Sequence, residues 1–567
     1  MQGLTCQWTM PEAGGEGDLL TRILNARGFT DAEDREAYLG AAKAKFDPSD
    51  QLPGVAAATD RILRALEQGE RIAVYGDYDA DGVTSTAILT RVMRGIAPKA
   101  EIEPYLPHRI DEGYGLNVAA LEELDKRGVT VVITVDCGVT AIHQAAACVG
   151  LGIDLIITDH HVPGEAGLPE AVAIVHPGLP GSDYAWPELS GSAVAYILAR
   201  HLACVHQGVD DPTGTLAEVL KDVLCLAGIG VIADVVPLVG ENRKFAAKAL
   251  KMMRSCSLAG IKAMLPLCAK PGESISSETV GYRIGPRLNA AGRMGHAQEA
   301  LDLLLTDSDA EAADIASRLS KANQSRQILA AELAEQADTM AVDAGMTSDD
   351  QRMIVLAHKD WHPGVIGIVC SRLAGLYHRP VVLLCEGESG VLKGSARSIA
   401  GYSILEALRS VEDQFESLGG HAMAAGMSLK RERFEDVRRS LIAHANQQLK
   451  PEDLVTRLQI DCEVDLSELT FEAVTQLQQA MQPTGQANRA ACLIARDVKI
   501  TQSNVMGKSS THLQLAFGSF RCPWFHRGHF ESSLPRGAVV DIVFEPSINT
   551  WQGRSTVQLL IKDVRRH

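Results

Sequence analysis

The sequence predicts an α/β protein: a parallel sheet covered by helices, a smaller αβ region after it, and a C-terminal barrel of short strands. Three observations predict it. Between about residues 55 and 240, short β-branched runs alternate with helical patterns, as in successive strand–helix–strand units. Between about 350 and 450, strand-like runs return among glycine-rich turns. After Leu454, short strands follow one another separated by turns. A chain of 567 residues exceeds what one core supports, and domains of roughly 100–200 residues imply three or four. The expected divisions are a helical segment over 1–50, the parallel-sheet domain over 51–300, connecting helices over 301–347, the second αβ domain over 348–453 and the barrel over 454–567.

Taken in order, the first fifty residues look helical and carry no recognisable chemistry. The runs 72–75, 129–135, 155–158 and 173–175 read as strands, and 83–94, 117–127 and 141–150 as helices between them. Strands so uniformly apolar suit a parallel sheet buried on both faces, whose ligands bind beyond the carboxyl ends of its strands. Residues 308–341 have helical periodicity and no Pro or Gly, which predicts one or two long helices able to bridge domains. In the second αβ region 353–357 and 380–385 read as strands; in the barrel 492–494, 512–517, 539–544 and 556–561 do.

Composition narrows the class. With 46% hydrophobic and 22% charged residues, this is an ordinary globular chain. No apolar run reaches the roughly 18 residues of a membrane-spanning helix, and the start, Met1-Gln-Gly-Leu-Thr-Cys, lacks the basic-then-apolar order of a secretory leader. The twelve cysteines include no CxxC pair, and Cys137, Cys225, Cys370 and Cys385 sit in apolar surroundings. They read as reduced thiols of a cytoplasmic protein, not as a disulfide framework or a zinc ribbon. The net charge of −17 argues weakly against a polyanionic partner. Its distribution is less hostile, because residues 488–567 carry a net +6 and the rest −23.

The chemistry concentrates at strand ends. GDYDADG at 76–82 sets Asp77, Asp79 and Asp81 directly after the first strand. Three like charges in five residues repel, and folding alone does not ask for them. Hard divalent cations would remove the repulsion; a solvated acidic turn is the plainer reading. The next strand ends at Asp136-Cys137-Gly138, the one after at Asp159-His160-His161, and the apolar run 228–233 leads to Asp234. In a parallel sheet such ends share one edge, so carboxylates and two histidines would converge on one crevice. Mixed carboxylate and imidazole donors favour Mn²⁺ or Mg²⁺ over a zinc thiolate site. Two such ions about 3.5–4 Å apart activate water and stabilise a leaving oxygen in phosphoryl transfer. Singly, each residue has a duller explanation: Asp136 as a helix cap, His160 and His161 as structural histidines, Asp234 as a turn residue. Their recurrence at successive strand ends is harder to explain that way.

Together, GDYDADG, Asp136-Cys-Gly and Asp159-His160-His161 resemble the DHH phosphoesterase superfamily. Residues 105–117 (YLPHRIDEGYGLN), 232–238 (IADVVPL) and 284–294 (IGPRLNAAGRM) resemble the RecJ single-strand-specific exonucleases within it, as do 361–368 (WHPGVIGI), 393–398 (KGSARS) and 419–426 (GGHAMAAG), the last group being the DHHA1 signature. The resemblance spans about residues 20–567. It implies a parallel-sheet DHH domain joined by long helices to a smaller αβ DHHA1 domain, plus a C-terminal OB-fold β-barrel. It implies a 5′→3′ exonuclease on single-stranded DNA, releasing 5′-mononucleotides by two-metal-ion hydrolysis in DNA repair and recombination. The two divalent cations, Mn²⁺ or Mg²⁺, would be held by Asp77, Asp79, Asp81, Asp136, His160 and Asp234. Asp136 would bridge them, and Asp77 would either ligate directly or orient its neighbours. His161 would face the scissile phosphate as a polar or acid partner, and Asp159 would orient the histidine pair. The resemblance also implies a monomer working beside single-strand-binding protein and a RecQ-type helicase, with no membrane partner.

Arginine suits a phosphate chain because a guanidinium binds phosphate bidentately. Arg109, Arg287 and Arg293 are candidate phosphate contacts, with Asn289 between the last two; structural ion pairs with the acidic core are the other reading of Arg287 and Arg293. Ser395 and Arg397 offer a hydroxyl and a guanidinium together, and the resemblance implies that the 5′-terminal phosphate is recognised there. Gly419, Gly420 and His421 are a candidate phosphate cradle, or else a tight turn with a buried histidine. Tyr114, Phe517, Trp524 and Trp551 are candidate base stackers, with core packing the other reading for the barrel aromatics. Lys508 and His512 are candidate backbone contacts. Residues 481–488 (MQPTGQAN) follow only loosely the family's Pro-Phe-Gly-x-Gly-Asn junction: Thr484 replaces the aromatic and Ala487 a glycine. The competing readings are a phosphoesterase of the same superfamily acting on short oligonucleotides or cyclic dinucleotides, and a non-catalytic DNA-binding relative. The barrel and long helices favour a polymer, and the complete ligand set favours catalysis.

Overall fold

The β-branched runs do form strands. The computed structural model describes residues 1–11, 16–109, 112–348, 350–387, 390–507, 511–551 and 553–567. They divide into two units: Thr30–Asn323 with Gln479–Ala490, and Met1–Phe29 with Gln324–Gln478 and Ala491–His567.

The first unit is built on a five-stranded, all-parallel sheet. Its spatial order is Ile102–Tyr105, Arg71–Gly76, Val129–Val135, Asp154–Thr158, Ala173–Val175. Alternate residues enter two different cores, with Val131, Ile133 and Val135 on one face and Ala73, Tyr75 and Val132 on the other, so the strands read as continuous apolar runs. Ile102–Tyr105 is an addition to the expected set; it lies at the edge, where Pro104 is tolerated. On one face the helix Ala80–Ile96 packs against Gly191–Gln207 and Gly214–Ala233. Its buried hydroxyls are satisfied locally: Thr84, Ser85 and Thr86 donate to the carbonyls of Ala80, Asp81 and Gly82 at 2.8, 2.7 and 2.8 Å.

One strand-end expectation is corrected. The apolar run before Asp234 belongs to the twenty-residue helix Gly214–Ala233, and Asp234 is its C-cap. A helix buried all round is apolar all round, so a short window of it cannot be told from a buried strand.

The second unit holds a five-stranded sheet ordered Ser417–His421, Ala424–Lys430, Val391–Arg397, Val381–Glu386, Ile354–His358, in which only the last pair is parallel. The two strands expected here are the last two. The other three carry Gly394, Gly419, Gly420 and Gly426, which weaken the β signal. A seven-stranded sheet with a long hairpin, Val539–Trp551 against Arg554–Arg566, forms the C-terminal module. The amino-terminal segment is not wholly helical. Cys6–Thr9 is a strand paired in parallel with Thr456–Gln459, and the Asp563 carboxylate holds it by accepting from Cys6 N and Trp8 Nε1, both at 2.9 Å. Of the one or two long helices expected over 308–341 there is one, Asp309–Asp343, and the division between units falls within it.

Residues 479–490 are anchored to the first unit. Buried Asn488 donates to the carbonyls of Met481 and Pro483 at 2.9 and 2.5 Å and accepts from Tyr38 Oη at 2.8 Å. Arg243 donates to the carbonyls of Tyr38, Pro483 and Gln482. Thr484, in place of an aromatic, gives its amide to Ser277 Oγ at 3.0 Å. Ala487, in place of a glycine, has a φ of +57°, a left-handed conformation that costs an L-residue roughly 1–2 kcal/mol. Ala487→Gly is expected to stabilise the protein by about 1 kcal/mol, after allowance for the greater freedom of the unfolded glycine chain. Urea unfolding checks this; an unchanged or lowered midpoint would contradict it.

Candidate metal centre

The sheet register decides which residues meet. Gly76, Val135, Thr158 and Val175 lie side by side at the carboxyl edge, so the next residues along are Asp77, Asp136, Asp159 and His176. The ladder extends one step further, with Asp136 N donating to Thr158 O at 3.1 Å and Asp159 N to Val175 O at 3.2 Å. Asp136 leaves its strand with a φ of +61°, uncommon for a non-glycine. Its carboxylate lies against Gly191, where a Cβ would stand 2.7 Å from Oδ1.

Asp79 caps the helix Ala80–Ile96, its Oδ1 accepting from Asp81 N and Gly82 N at 2.9 and 3.2 Å. Asp81, in that helix's first turn, meets the N-terminus of Gly191–Gln207 and accepts from Gly191 N at 2.7 Å and Ser192 N at 3.0 Å. Gly230 makes room for it, since a Cβ there would lie 2.3 Å from Asp81 Oδ1.

Two triads result. The donor atoms of Asp77, Asp79 and Asp136 lie within 4.8 Å of one another, as do those of Asp81, His160 and Asp234, and Asp136 also groups with His160 and His161. His160 Nε2 is 3.0 Å from Asp136 Oδ1 and 3.6 Å from Asp234 Oδ2. The closer pair is not aligned for a hydrogen bond. Both its atoms, and Asp77 Oδ1, are buried without a hydrogen-bond partner, a costly state. Carboxylate and imidazole donors left open in this way fit Mn²⁺ or Mg²⁺.

Like-charge crowding shows in the proton affinities. Burial, then Asp81, Asp79 and Asp234 nearby, raises Asp136 well above the usual carboxylate range. Burial and Asp79 do the same to Asp77, and burial and Asp81 to Asp234. Burial raises Asp81 to about 6 against the hydrogen bonds from Ser192 and Gly191.

The two histidines diverge. Asp159 Oδ1 accepts from His160 N at 2.7 Å, His161 N at 3.1 Å and His161 Nδ1 at 2.7 Å, and Oδ2 from Val139 N at 2.8 Å. Burial opposes the Asp159 charge, but the bond from His161 and the two histidines outweigh it and hold the carboxyl at about 2. Burial likewise opposes the His161 charge, yet its bond to Asp159 wins and the imidazole is raised. Burial, with His161 beside it, lowers His160 to about 3. Tyr114 Oη stands 3.3 Å from Asp136 O and 3.2 Å from His161 Nδ1.

The remaining expected residues are placed as follows. The Arg109 guanidinium lies 4.7 Å over the Tyr78 ring; burial raises the Tyr78 hydroxyl to about 12, with Arg109 and Arg293 opposing it. Asn289 Oδ1 accepts from Ala80 N at 2.7 Å, so it buttresses the GDYDADG turn. Arg287 donates to Ser320 Oγ, Arg283 O and Leu267 O at 3.0, 2.7 and 3.3 Å, and none of these partners is an acidic side chain.

In the second unit, Ser395, Gly426 and Gly419 form one cross-strand row, and Arg397, Ala424 and His421 another. Arg397 Nη1 donates to Ser395 Oγ at 3.2 Å and to Ala396 O at 2.8 Å. Gly420 adopts a φ of +142°, where a Cβ would stand 2.4 Å from Ala424 O. His421 is exposed, not the buried histidine of a tight turn. His512 Nδ1 accepts from His526 N at 3.0 Å. Phe517 and Trp524, at 2% and 3% exposure, are core residues that cannot stack bases. Lys508 and the Trp551 side chain lie outside the described residues.

Sequence reasoning missed His176 and the amides of Gly191 and Ser192. His176 was readable, because it follows the run 173–175 as Asp136 and Asp159 follow theirs. The amides left no local signal beyond the N-cap serine, Ser190.

Comparison with known proteins places the chain. It matches the DHH family, N-terminal domain, over residues 71–229, the DHHA1 domain over 350–450 and the RecJ OB domain over 460–563. It is 36% identical to the single-stranded-DNA-specific exonuclease RecJ of Bacillus subtilis, over 96% of this chain and 67% of that protein. To that of Escherichia coli it is 31% identical, over 96% of this chain and 95% of that protein. The crystal structure of RecJ from Thermus thermophilus with Mn²⁺ is similar at a TM-score of 0.82 and 29% identity, covering 99% of this chain and 80% of that one. The structure with Mg²⁺ is similar at 0.75 and 28%, covering 99% and 78%.

In the metal-free protein the raised carboxyls bind protons more tightly folded than unfolded, so stability is lost as pH rises from the unfolded value of 3.8 through the Asp81 value of about 6 and beyond. Thermal unfolding in EDTA from about pH 5 to about pH 8 is expected to show that fall, and excess Mn²⁺ to reverse it; Asp136→Asn should flatten the metal-free slope. Gly230→Ala, which drives a methyl against Asp81, is expected to weaken Mn²⁺ binding at least about tenfold by calorimetry.

Proposed function

Because the chain belongs to the RecJ family of single-stranded-DNA-specific exonucleases, we propose that it hydrolyses single-stranded DNA from the 5′ end, releasing 5′-mononucleotides. The observation that carries this reading is the pair of triads at the sheet edge, with Asp77 Oδ1, Asp136 Oδ1 and His160 Nε2 buried and unsatisfied by protein. Asp77, Asp79 and Asp136 would hold one Mn²⁺ or Mg²⁺ ion and Asp81, His160 and Asp234 the other, with Asp136 shared. Such a pair, when bound, supplies Lewis-acid polarisation of a phosphate and a more acidic water.

The chain's own groups supply orientation and a proton. Asp159 fixes the His161 ring through Nδ1, leaving Nε2 as the atom from which a proton passes to the departing 3′ oxygen as the P–O3′ bond breaks. The raised proton affinity of His161 suits it to that role. Arg109 and Arg293, beside Tyr78, are proposed to neutralise a strand phosphate. Ser395, Arg397, Gly419, Gly420 and His421, gathered at one end of a sheet, are the proposed grip for the 5′-terminal phosphate. His512 and the net positive C-terminal module support a polymeric, anionic substrate. Single-strand-binding protein and a RecQ-type helicase are proposed partners on family resemblance alone, and a monomer is the proposed working form. All twelve cysteines are free thiols, which supports a cytoplasmic location; among the described residues no helix is long and apolar enough to cross a membrane.

A 5′-phosphorylated strand labelled at either end tests the reading: in Mn²⁺ the 5′ label should leave first, as a mononucleotide. Cleavage of a dinucleotide with the long strand left intact would replace it with a short-oligonucleotide phosphoesterase, and binding without cleavage with a scaffold protein. Asp136→Ala is expected to lower turnover by at least on the order of 10²-fold while strand binding, read by fluorescence anisotropy, persists.

A further inference from the structure

His176 completes the row of strand-end residues, yet has no part in the chemistry described above. It is 2% exposed, and its bonds define a tautomer. Nε2 lies 2.8 Å from the His161 carbonyl, an acceptor, and Nδ1 accepts the Gly178 amide at 2.9 Å. Nε2 therefore carries the hydrogen and Nδ1 the lone pair. Gly178 is itself closely packed, since a Cβ there would stand 3.1 Å from the Pro187 carbonyl and 3.6 Å from His176 Cε1. The ring is held by main chain at both nitrogens.

The turn it touches is the one that aims His161. Asp159 N is tied to Val175 O, the residue before His176, and the Asp159 carboxylate takes the amides of His160 and His161. These ties act through amides at the start of the turn; the bond from His176 acts on the carbonyl at its end. Without it the His161 backbone could pivot on its amide, and the imidazole would swing relative to Asp159 and Tyr114. Misplacement of a reacting group by about 1 Å costs on the order of 10²-fold in rate.

We infer that His176 is a positioning residue: by gripping the His161 carbonyl it fixes the direction of the His161 imidazole. The kinetic part of this inference rests on the exonuclease reading; the structural part does not. The experiment compares the full-length protein with His176→Ala, His176→Gln and His176→Asn. In the alanine variant, kcat on a 5′-phosphorylated single strand is expected to fall roughly 10–100-fold, with KM and calorimetric Mn²⁺ affinity within about twofold of the parent. Amide exchange by mass spectrometry should quicken over 159–163 and stay unchanged elsewhere. The better of the two amide variants should regain most of kcat, because its side-chain N–H can still be given to the carbonyl. Unchanged kcat with unchanged protection over 159–163 would overturn the inference. So would a joint loss of kcat and Mn²⁺ affinity without rescue, which would make His176 a general support of the centre. If the unmodified protein cuts no single strand, the functional reading fails by itself, and exchange over 159–163 alone decides for or against the grip.

Discussion

Mutual repulsion among Asp77, Asp79, Asp81, Asp136 and Asp234 is the constraint to which the first unit is fitted. Unit charges about 4 Å apart repel by roughly 4 kcal/mol at an effective dielectric of 20, and three of these five carboxylates are almost wholly buried. Nothing in their own chemistry would assemble them. The parallel register delivers Asp77 and Asp136 side by side, whatever their charge. The amides at the start of Gly191–Gln207 take Asp81, and missing side chains at Gly191 and Gly230 leave space for the oxygens. The apolar helices behind the sheet offset the strain, as cores generally do for functional sites. A pair of divalent cations would turn the same crowding into attraction, which gives a reason for so unfavourable a cluster at the buried edge of the sheet.

How much of this is legible in the sequence follows from the range of each interaction. Asp77, Asp136 and Asp159 are legible because a strand ends where its apolar run ends, and parallel strands align those ends. Asp234 is legible as a residue but not as an element, because a buried helix and a buried strand look alike over six residues. Arg287 is legible as a residue, but its protein partners are not: its donors go to Leu267, Arg283 and Ser320, which no local pattern announces. The Gly191 and Ser192 amides are legible only through the N-cap serine before them, since a main-chain donor is the same at every non-proline residue.

The second unit shows the same limit from the other side. Its strands through Ser395, Arg397 and His421 are glycine-rich and escape a search for β-branched runs, although the residues themselves stand out as chemistry. Once the strands pair, the cross-strand rows put hydroxyl, guanidinium and imidazole at one end of the sheet. The barrel aromatics go the opposite way: Phe517 and Trp524 are conspicuous in sequence but spent on the core, with Trp524 stacked on Phe530 at 5.2 Å.

Two adjacent histidines, His160 and His161, have sharply different surroundings. Their ring centroids are 4.5 Å apart, so two imidazolium cations there would repel. Asp159 accepts both amides and the His161 Nδ1 contact, and that contact raises the proton affinity of His161 against its burial. His160 is left neutral, facing Asp136 and Asp234. A protonated His160 would donate to Asp136 and occupy the oxygen left open for a cation, whereas a metal ligand must offer a lone pair. The two opposite shifts have different sources: burial lowers His160, and the contact with Asp159 raises His161 against its own burial.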